Sequence, residues 1–309
     1  MFSPITHHFL PPASSLSPVA ELLPLHCATL RYNDSMYTEF YGLREVPFNV
    51  TSDPNFLYLS NTHKEALSHL RYGISQRKGF IEITGEIGAG KTTLCRALLN
   101  SLGPDTKTSV IFNSNLPETQ LLEAIMLDFN IVPVRRNKVT FLRQINNFLL
   151  EQLRLGNNVV LIIDEAQNLR NPTLESIRML SNLETEKEKL LQIVLVGQPQ
   201  LADKLNSPDL VQLKQRISVS FHLEALKPEE VRSYIDHRLK IAGSSGRIVF
   251  SDTAVTHIAT YSGGIPRLIN IVCDKSLLLG FVRNTTVIDQ TIVHNSIEEL
   301  KGNIKVGAP

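Results

Sequence analysis

The stretch FIEITGEIGAGKTTLCRALL, residues 80–99, joins an apolar β-branched run to a glycine-rich turn and then to a run with helical periodicity. Residues 80–84 alternate as a strand does, and residues 91–102 carry leucines at four-residue spacing, as a helix does. Four residues have the spacing G-x-x-x-x-G-K-[ST] of a phosphate-binding loop: Gly85, Gly90, Lys91 and Thr92. The three parts in succession favour a phosphate loop over an ordinary glycine-rich turn.

The chemistry of such a loop depends on its backbone. Glycine tolerates a positive φ, so the chain can curl with its N–H groups pointing inward, next to the positive end of the following helix. We expect Lys91 to reach the β- and γ-phosphates and Thr92 to offer its hydroxyl to Mg²⁺. The loop residues expected to bind the nucleotide are contiguous: Gly85, Glu86, Ile87, Gly88, Ala89, Gly90, Lys91, Thr92 and Thr93.

A second motif, VVLIIDEA at residues 159–166, is an apolar strand that ends in two carboxylates. Ligands of open α/β sheets sit at the carboxyl ends of strands. We expect Asp164 to hold Mg²⁺ through water, as the Walker B acid does, and Glu165 to deprotonate the attacking water as a general base. The alternative is a strand that merely ends in a polar turn, and the phosphate loop upstream disfavours it. No N-K-x-D guanine motif occurs, so ATP is favoured over GTP.

Composition limits the class of protein. The chain has 309 residues, of which 42% are hydrophobic and 20% charged, with a net charge of +1. These values are typical of a soluble globular protein, and the charge does not indicate a nucleic-acid coat protein. Three scattered cysteines without a C-x-x-C pair predict a reduced, cytoplasmic chain. No apolar run reaches the roughly 18 residues that span a bilayer, so we expect any membrane role to require a partner.

The order of elements predicts the domains. In residues 36–223 strands alternate with helices, which predicts an α/β fold with a parallel sheet covered on both faces. After Leu223 the strand patterns stop, and residues 224–309 predict a small, wholly helical domain. Residues 1–35 are rich in Pro and Ser without periodicity, and we expect a disordered extension there. Met36 is an alternative start.

Four further polar residues have two interpretations each. Gln198, just past a buried strand, is expected either to contact the γ-phosphate or to be a turn residue. Arg216, before the last strand, is either a finger for a neighbouring subunit's ATP or a surface salt-bridge partner. Arg267, after a Gly-Gly-x-Pro turn, either reports the nucleotide state or packs at a helix start. Asn113 either holds Glu165 in an idle orientation or simply ends a strand.

From Met36 onward, the chain resembles the ExeA/GspA family of AAA+ ATPases, which are associated with the general secretion pathway and related pilus systems of bacteria. The resemblance covers nearly all of residues 36–300. It rests on MYTEFYGLREVPFNVTSDPNFLYLS, GFIEITGEIGAGKTTLCRALL, VVLIIDEAQNL, LVGQPQL, LKQRI and GGIPRLIN.

The resemblance implies a P-loop AAA+ core with a helical lid, ATP at their junction, and homo-oligomerisation. It implies that Gln198 acts as a sensor, Arg216 as a finger and Arg267 as a second sensor. Longer members carry a transmembrane helix and a periplasmic peptidoglycan-binding part. We therefore expect a short form, a stand-alone cytoplasmic ATPase module with a separate membrane-protein partner of a secretion or pilus system.

Three functions remain open at this point. The first is an ATP-hydrolysing motor or assembly factor for a secretion, pilus or polysaccharide-export apparatus. The second is a DNA-dependent regulator of the transposition or replication type, against which the near-neutral charge and the lack of an evident DNA-binding domain count. The short basic cluster at residues 134–138 is better explained as a solvated helix start. The third is a nucleotide switch without turnover, which the intact Glu165 disfavours.

Overall fold

The computed structural model describes residues 37–112, 114–185 and 188–304, and within them a five-stranded parallel sheet forms the centre of the fold. Its strands are β1 Phe80–Gly85, β2 Thr106–Ile111, β3 Asn158–Ile163, β4 Gln192–Gly197 and β5 Ile217–Leu223. The strand order across the sheet is β2-β3-β4-β1-β5, and every neighbouring pair is parallel. The predicted parallel-sheet core is confirmed.

Helices connect the strands and cover the sheet. Up to β5, the described helices are α1 Thr38–Tyr41, α2 Asn61–Ser75, α3 Lys91–Ser101, α4 Glu118–Asp128, α5 Lys138–Arg154, α6 Asn171–Leu180, α7 Pro199–Leu205 and α8 Val211–Lys214. The starts of α2 and α5 are set by side-chain caps, because Ser60 and Asn137 each accept a hydrogen bond from a backbone N–H of the first turn.

The central strands are apolar because both of their faces are buried. Every residue of β1 and β4 is buried. Leu161 and Ile193 enter an apolar cluster with α4, α5 and α6, whereas Val160 and Val194 enter a second cluster with α2 and α3. Burying a branched aliphatic side chain stabilises the fold by roughly 1.5–3 kcal/mol, so both faces of the central strands contribute to the stability of the sheet.

This strand order brings three polar segments to one edge of the sheet. β3, β4 and β1 are neighbours and run in the same direction. The residues that follow them are therefore adjacent in space, although they are far apart in sequence. They are the phosphate loop after β1, Asp164 and Glu165 after β3, and Gln198 after β4.

Beyond β5 the chain is helical, as predicted, with one correction. Its helices are α9 Pro228–Ile241, α10 Asp252–Ser262, α11 Pro266–Val282 and α12 Gln290–Ile304. The strands do not stop at Leu223, because β6 Val249–Phe250 and β7 Val287–Ile288 pair in parallel. Each of these strands has two residues, too few to show an alternating pattern in the sequence.

The N-terminal segment (residues 37–56) packs with the C-terminal helices rather than against the sheet. Four of its aromatic side chains lie in one apolar cluster with α9–α12: Tyr37, Tyr41, Phe48 and Phe56. The hydroxyl of Tyr41 donates a hydrogen bond to the carbonyl of Leu277 at 2.9 Å. Burial raises the pKa of Tyr41 to about 12.

Arg238 of α9 ties this segment to the helices by polar contacts. Its guanidinium donates to the carbonyls of Pro47 and Asn49 at 2.6 and 3.0 Å. The same group stacks over the ring of Phe56, 4.7 Å from the centroid. The division of the chain near residue 224 stays a prediction, and the structure adds that residues 37–56 share the core of the C-terminal helices.

Two expectations concern other parts of the chain. The disordered extension at residues 1–35 and the proposed role of Asn113 lie outside the described residues. Among the described helices, none combines the length and the hydropathy needed to cross a membrane.

Candidate active site

The phosphate loop connects the end of β1 to the start of α3, as the sequence predicts. Gly88 and Gly90 have φ values of +83° and +98°, which side chains with a Cβ rarely adopt. A Cβ on Gly88 would also lie 2.5 Å from the Cβ of Arg267, at the start of α11. Glycine at this position therefore allows both the curl of the loop and the close approach of the C-terminal helices.

Lys91 lies inside the loop and is 6% exposed. Its ammonium group donates to the carbonyls of Gly85 and Glu86 at 2.7 and 2.9 Å. Burial lowers the pKa of Lys91 below its usual 10.5, and the carboxylates of Glu165, Asp164 and Glu86 oppose this shift. The loop thus holds a buried cation whose present partners are neutral carbonyls, which a phosphate can replace.

Thr92, in the first turn of α3, contacts Asp164, the residue that follows β3. The Thr92 hydroxyl donates to Oδ2 of Asp164 at 2.6 Å, and the Asp164 side chain is buried. The other carboxylate oxygen, Oδ1, accepts the backbone N–H of Glu165 at 2.9 Å. Two oxygen donors of the kind that Mg²⁺ prefers therefore lie together beside the loop.

The oxygens of Thr92 and Asp164 fit a magnesium ion that takes its remaining ligands from water and phosphate. Among the described residues, no group of three or more His, Cys, Asp or Glu side chains is placed to hold a metal. A magnesium ion in a phosphate-transfer site keeps several waters and binds through one or two protein oxygens plus phosphate oxygens. Thr92 and Asp164 match that requirement, and a dedicated protein cage is not needed.

Glu165 occupies a strained backbone position at the end of β3. Its φ is +51°, in the left-handed region that non-glycine residues seldom adopt. The hydroxyl of Ser114, between β2 and α4, donates to the Glu165 carbonyl at 2.7 Å. Contacts from outside β3 therefore help to hold Glu165 in this conformation.

Two glutamine amides hold the Glu165 carboxylate. Gln167 and Gln198 both donate to its Oε2, at 2.5 and 3.1 Å. The sequence left two interpretations of Gln198, a contact of the γ-phosphate or a turn residue, and both stay predictions. In the structure its side chain contacts Glu165. Gln167 was not recognised from the sequence. In the structure, the short 3₁₀ turn Ala166–Asn168 brings the Gln167 side chain back to the Glu165 carboxylate. The position of Gln167, two residues after the predicted base, was the only hint in the sequence.

An open cavity of about 200 Å³ lies between the phosphate loop and the C-terminal helices. It is lined by Lys91, Thr92 and Glu165 from the sheet side, by Arg267 from α11, and by residues 50–52 of the N-terminal segment. The backbone N–H of Arg267 donates to the Gly88 carbonyl at 3.3 Å. The structure thus brings Arg267 to the loop.

Arg216 is one of six predicted site residues that do not line this cavity, together with Gly85, Glu86, Ala89, Asp164 and Gln198. Its guanidinium donates to the hydroxyl of Ser181 at 3.0 Å, before the start of β5. None of the described ion pairs includes Arg216, but its charge helps to lower the pKa of Glu175 and of Glu184, so the surface interpretation also stays a prediction. The finger interpretation stays a prediction.

His63, in the first turn of α2, contacts the phosphate loop through the carbonyl of Ala89. Its Nε2 lies 3.2 Å from the Ala89 carbonyl and its Nδ1 lies 2.7 Å from the Ser60 hydroxyl. A carbonyl can only accept, so Nε2 carries the proton in the neutral ring. Burial lowers the pKa of His63, against the opposing effects of the Ala89 bond and the Glu230 charge.

Comparison with known proteins agrees with this geometry. Residues 74–205 match the family model described as an AAA domain. The chain contains an AAA domain. Over 263 residues it is 43% identical to General secretion pathway protein A of Aeromonas hydrophila, covering 85% of this chain and 47% of that protein. The predicted resemblance to the ExeA/GspA family is confirmed.

A second relative is more distant. Over 166 residues the chain is 26% identical to an HTH-type transcriptional regulator of Methanocaldococcus jannaschii, covering 52% of this chain and 39% of that protein. The chain therefore spans about half the length, or less, of these curated relatives.

Solved structures share the fold. The ORC2 protein of Aeropyrum pernix, in ADPNP-ADP complexes, superposes with a TM-score of 0.60 at 16% identity, covering 79% of this chain and 68% of that one. Cdc6p of Pyrobaculum aerophilum gives 0.59 at 16% identity, covering 82% and 74%. The RuvB Holliday junction branch migration motor of Thermotoga maritima gives 0.54 at 18%, covering 78% and 69%. These similarities confirm the AAA+ P-loop fold class.

Proposed function

We propose that this chain is a magnesium-dependent ATPase. The observation that carries the proposal is the 2.6 Å contact between Thr92 and Asp164, made in the site that also holds Lys91 and Glu165. A lysine cation for the phosphates, two oxygen ligands for a metal and a carboxylate that can act as a base are the groups that phosphoryl transfer to water requires.

The proposed roles follow from position. The loop amides and Lys91 bind the phosphates, and Thr92 and Asp164 hold Mg²⁺, Asp164 through water. When bound, the metal neutralises charge on the transferring phosphoryl group. Glu165 takes a proton from the attacking water while the water oxygen bonds to the γ-phosphorus. The bond to the β–γ bridging oxygen breaks, and its electron pair leaves with ADP.

Two arginines complete the proposal. Arg267 reports the nucleotide state to the C-terminal helices, because it lines the cavity and its backbone touches the phosphate loop. Arg216 lies outside the cavity of its own chain and acts as a finger on the ATP of a second copy, so the active form is a homo-oligomer. Gln198, as the sensor, exchanges its contact with Glu165 for one with the γ-phosphate.

The process served is a secretion or pilus apparatus. This part of the proposal rests on the identity to General secretion pathway protein A, of which the chain spans about half. The chain acts in the cytoplasm and is coupled to the membrane by a separate membrane-protein partner.

ATP hydrolysis measured against protein concentration tests the proposal. We expect a specific rate that rises with concentration, requires Mg²⁺, is lower with GTP and is unchanged by duplex DNA. Glu165→Gln keeps the shape of the side chain and removes the base, so it should bind ATP without turning it over. An equal rate in Glu165→Gln would refute the general-base role, and strong stimulation by DNA would favour a nucleic-acid-dependent regulator.

A further inference from the structure

The Glu165 carboxylate is restrained through one of its two oxygens. The amides of Gln167 and Gln198 both donate to Oε2. Among the described residues no hydrogen bond to Oε1 is formed, and Glu165 lines the cavity beside the phosphate loop. One oxygen is therefore used for positioning, while the other is available to a water molecule.

Gln167 is itself fixed at both ends of its amide. While its nitrogen donates to Glu165, its Oε1 accepts the backbone N–H of Gln198 at 3.1 Å. Lys204 of α7 donates to the main-chain carbonyl of Gln167 at 2.5 Å. The amide is thus held between the base and the turn that joins β4 to α7.

The residue before Gln198 makes room for this contact. A Cβ on Gly197 would lie 2.7 Å from Oε1 of Gln167. The φ of Gly197 is not in the left-handed region, so the glycine is required there by the approach of Gln167 and by Leu201 rather than by its own backbone conformation. The segment VGQPQ, residues 196–200, is therefore shaped to receive the Gln167 side chain.

We propose that Gln167 is the positioning residue for Glu165, and the inference rests on the ATPase function proposed above. The Gln167 side chain accepts its hydrogen bond from the backbone N–H of Gln198 and not from the Gln198 side chain. Its hold on Glu165 therefore persists when the Gln198 side chain turns toward a nucleotide. Through this link the β4–α7 turn sets the orientation of the base, and Gln198 is free to act as a sensor.

The test compares single-turnover hydrolysis, nucleotide affinity and thermal midpoint for four single variants and one double variant of the full chain. Gln167→Met keeps the approximate volume and removes both hydrogen bonds. Gln167→Glu keeps the acceptor for the Gln198 N–H but replaces the donor with a carboxylate that repels Glu165. Gln198→Met removes the second donor. Gln200→Met is the matched control, because Gln200 lies exposed in the first turn of α7, two residues after Gln198.

We expect Gln167→Met and Gln167→Glu to lower the hydrolysis rate about ten- to hundredfold, because a misplaced catalytic group loses most of its effect. The dissociation constant of a fluorescent ATP analogue should change by less than about twofold, since the phosphate loop is untouched. Gln200→Met should behave as the native chain does. Combining Gln167→Met with Gln198→Met should cost less than the product of the single effects, because both donors act on one oxygen.

The opposite results are informative as well. A native hydrolysis rate in Gln167→Met would overturn the inference. A faster rate would overturn it too, because it would show that Gln167 holds the Glu165 carboxylate away from the attacking water. A rate lost together with nucleotide affinity and thermal midpoint would assign a merely structural role. If the native chain binds ATP but neither it nor the control turns it over, the ATPase proposal itself fails.

Discussion

The ion pair of Glu82 and Lys214 offers a test of the fold beside the active site. Glu82 lies in the middle of β1 and is 1% exposed. Its Oε2 accepts from Lys214 of α8 and from the hydroxyl of Ser220, each at 3.1 Å. We expect Lys214→Met to destabilise the protein by about 2–4 kcal/mol, because it leaves a buried carboxylate without its cation.

The magnitude follows from the geometry. Two unit charges 3.1 Å apart attract by about 5 kcal/mol at an effective dielectric constant of 20. Breaking a fully buried ion pair costs about 3–5 kcal/mol. The Lys214 side chain is 37% exposed, so water screens part of the attraction, and the expected loss is about 1 kcal/mol smaller than that range. This loss is a large fraction of a typical stability of about 5–15 kcal/mol.

Urea unfolding at constant pH measures the effect, provided that the slope against urea is unchanged. The matched variant is the double change Glu82→Met with Lys214→Met, which removes both charges and keeps apolar volume. We expect the double variant to be more stable than Lys214→Met alone, because no buried charge remains unpaired. A loss below about 0.5 kcal/mol in Lys214→Met, or a double variant no more stable than Lys214→Met, would refute the reasoning.

Three further outcomes are expected. Lys91→Ala should weaken ATP binding at least tenfold in a fluorescence titration, because a charge-assisted hydrogen bond worth roughly 1.5–3 kcal/mol is lost; unchanged affinity would contradict the role of this lysine. His63 has a folded-state pKa below its usual 6.5, so its contribution to stability is complete above that pH and is lost as pH falls toward the lower value. His63→Gln, which keeps a donor to the Ala89 carbonyl, should flatten this part of the stability–pH curve measured by urea unfolding, and an unaltered curve would contradict the assignment. Gly197→Ala should slow hydrolysis while ATP affinity holds, because its Cβ would lie 2.7 Å from Oε1 of Gln167; a native rate would exclude the contact from catalysis.

Much of this architecture could be predicted from local pattern. The strand, loop and helix at residues 80–102 follow from spacing alone, and so does the placement of Asp164 and Glu165 at the end of β3. Both depend on neighbours in sequence. The parallel sheet was expected, because buried apolar runs that alternate with helices predict one, whereas the order of its strands was not predicted.

The contacts that the sequence did not reveal connect distant residues. Gln167 meets Gln198 because β3 and β4 are adjacent, and a pairing over 31 positions has no local signature. The partners of the N-terminal segment lie more than 200 residues away, so no local pattern reveals them. β6 and β7 are shorter than the period that identifies a strand.

The packing of the N-terminal segment against the C-terminal helices has a consequence for synthesis on the ribosome. Tyr41 and Leu277 are separated by 236 residues. At about 5–20 residues per second, the aromatic segment emerges roughly 10 to 50 s before its partners exist. The part of the described chain that is made first is thus among the last to be buried, and during that interval its rings are open to chaperones and proteases. A chain cut short at residue 262, before α11, should leave residues 37–56 sensitive to limited proteolysis although every one of them is present.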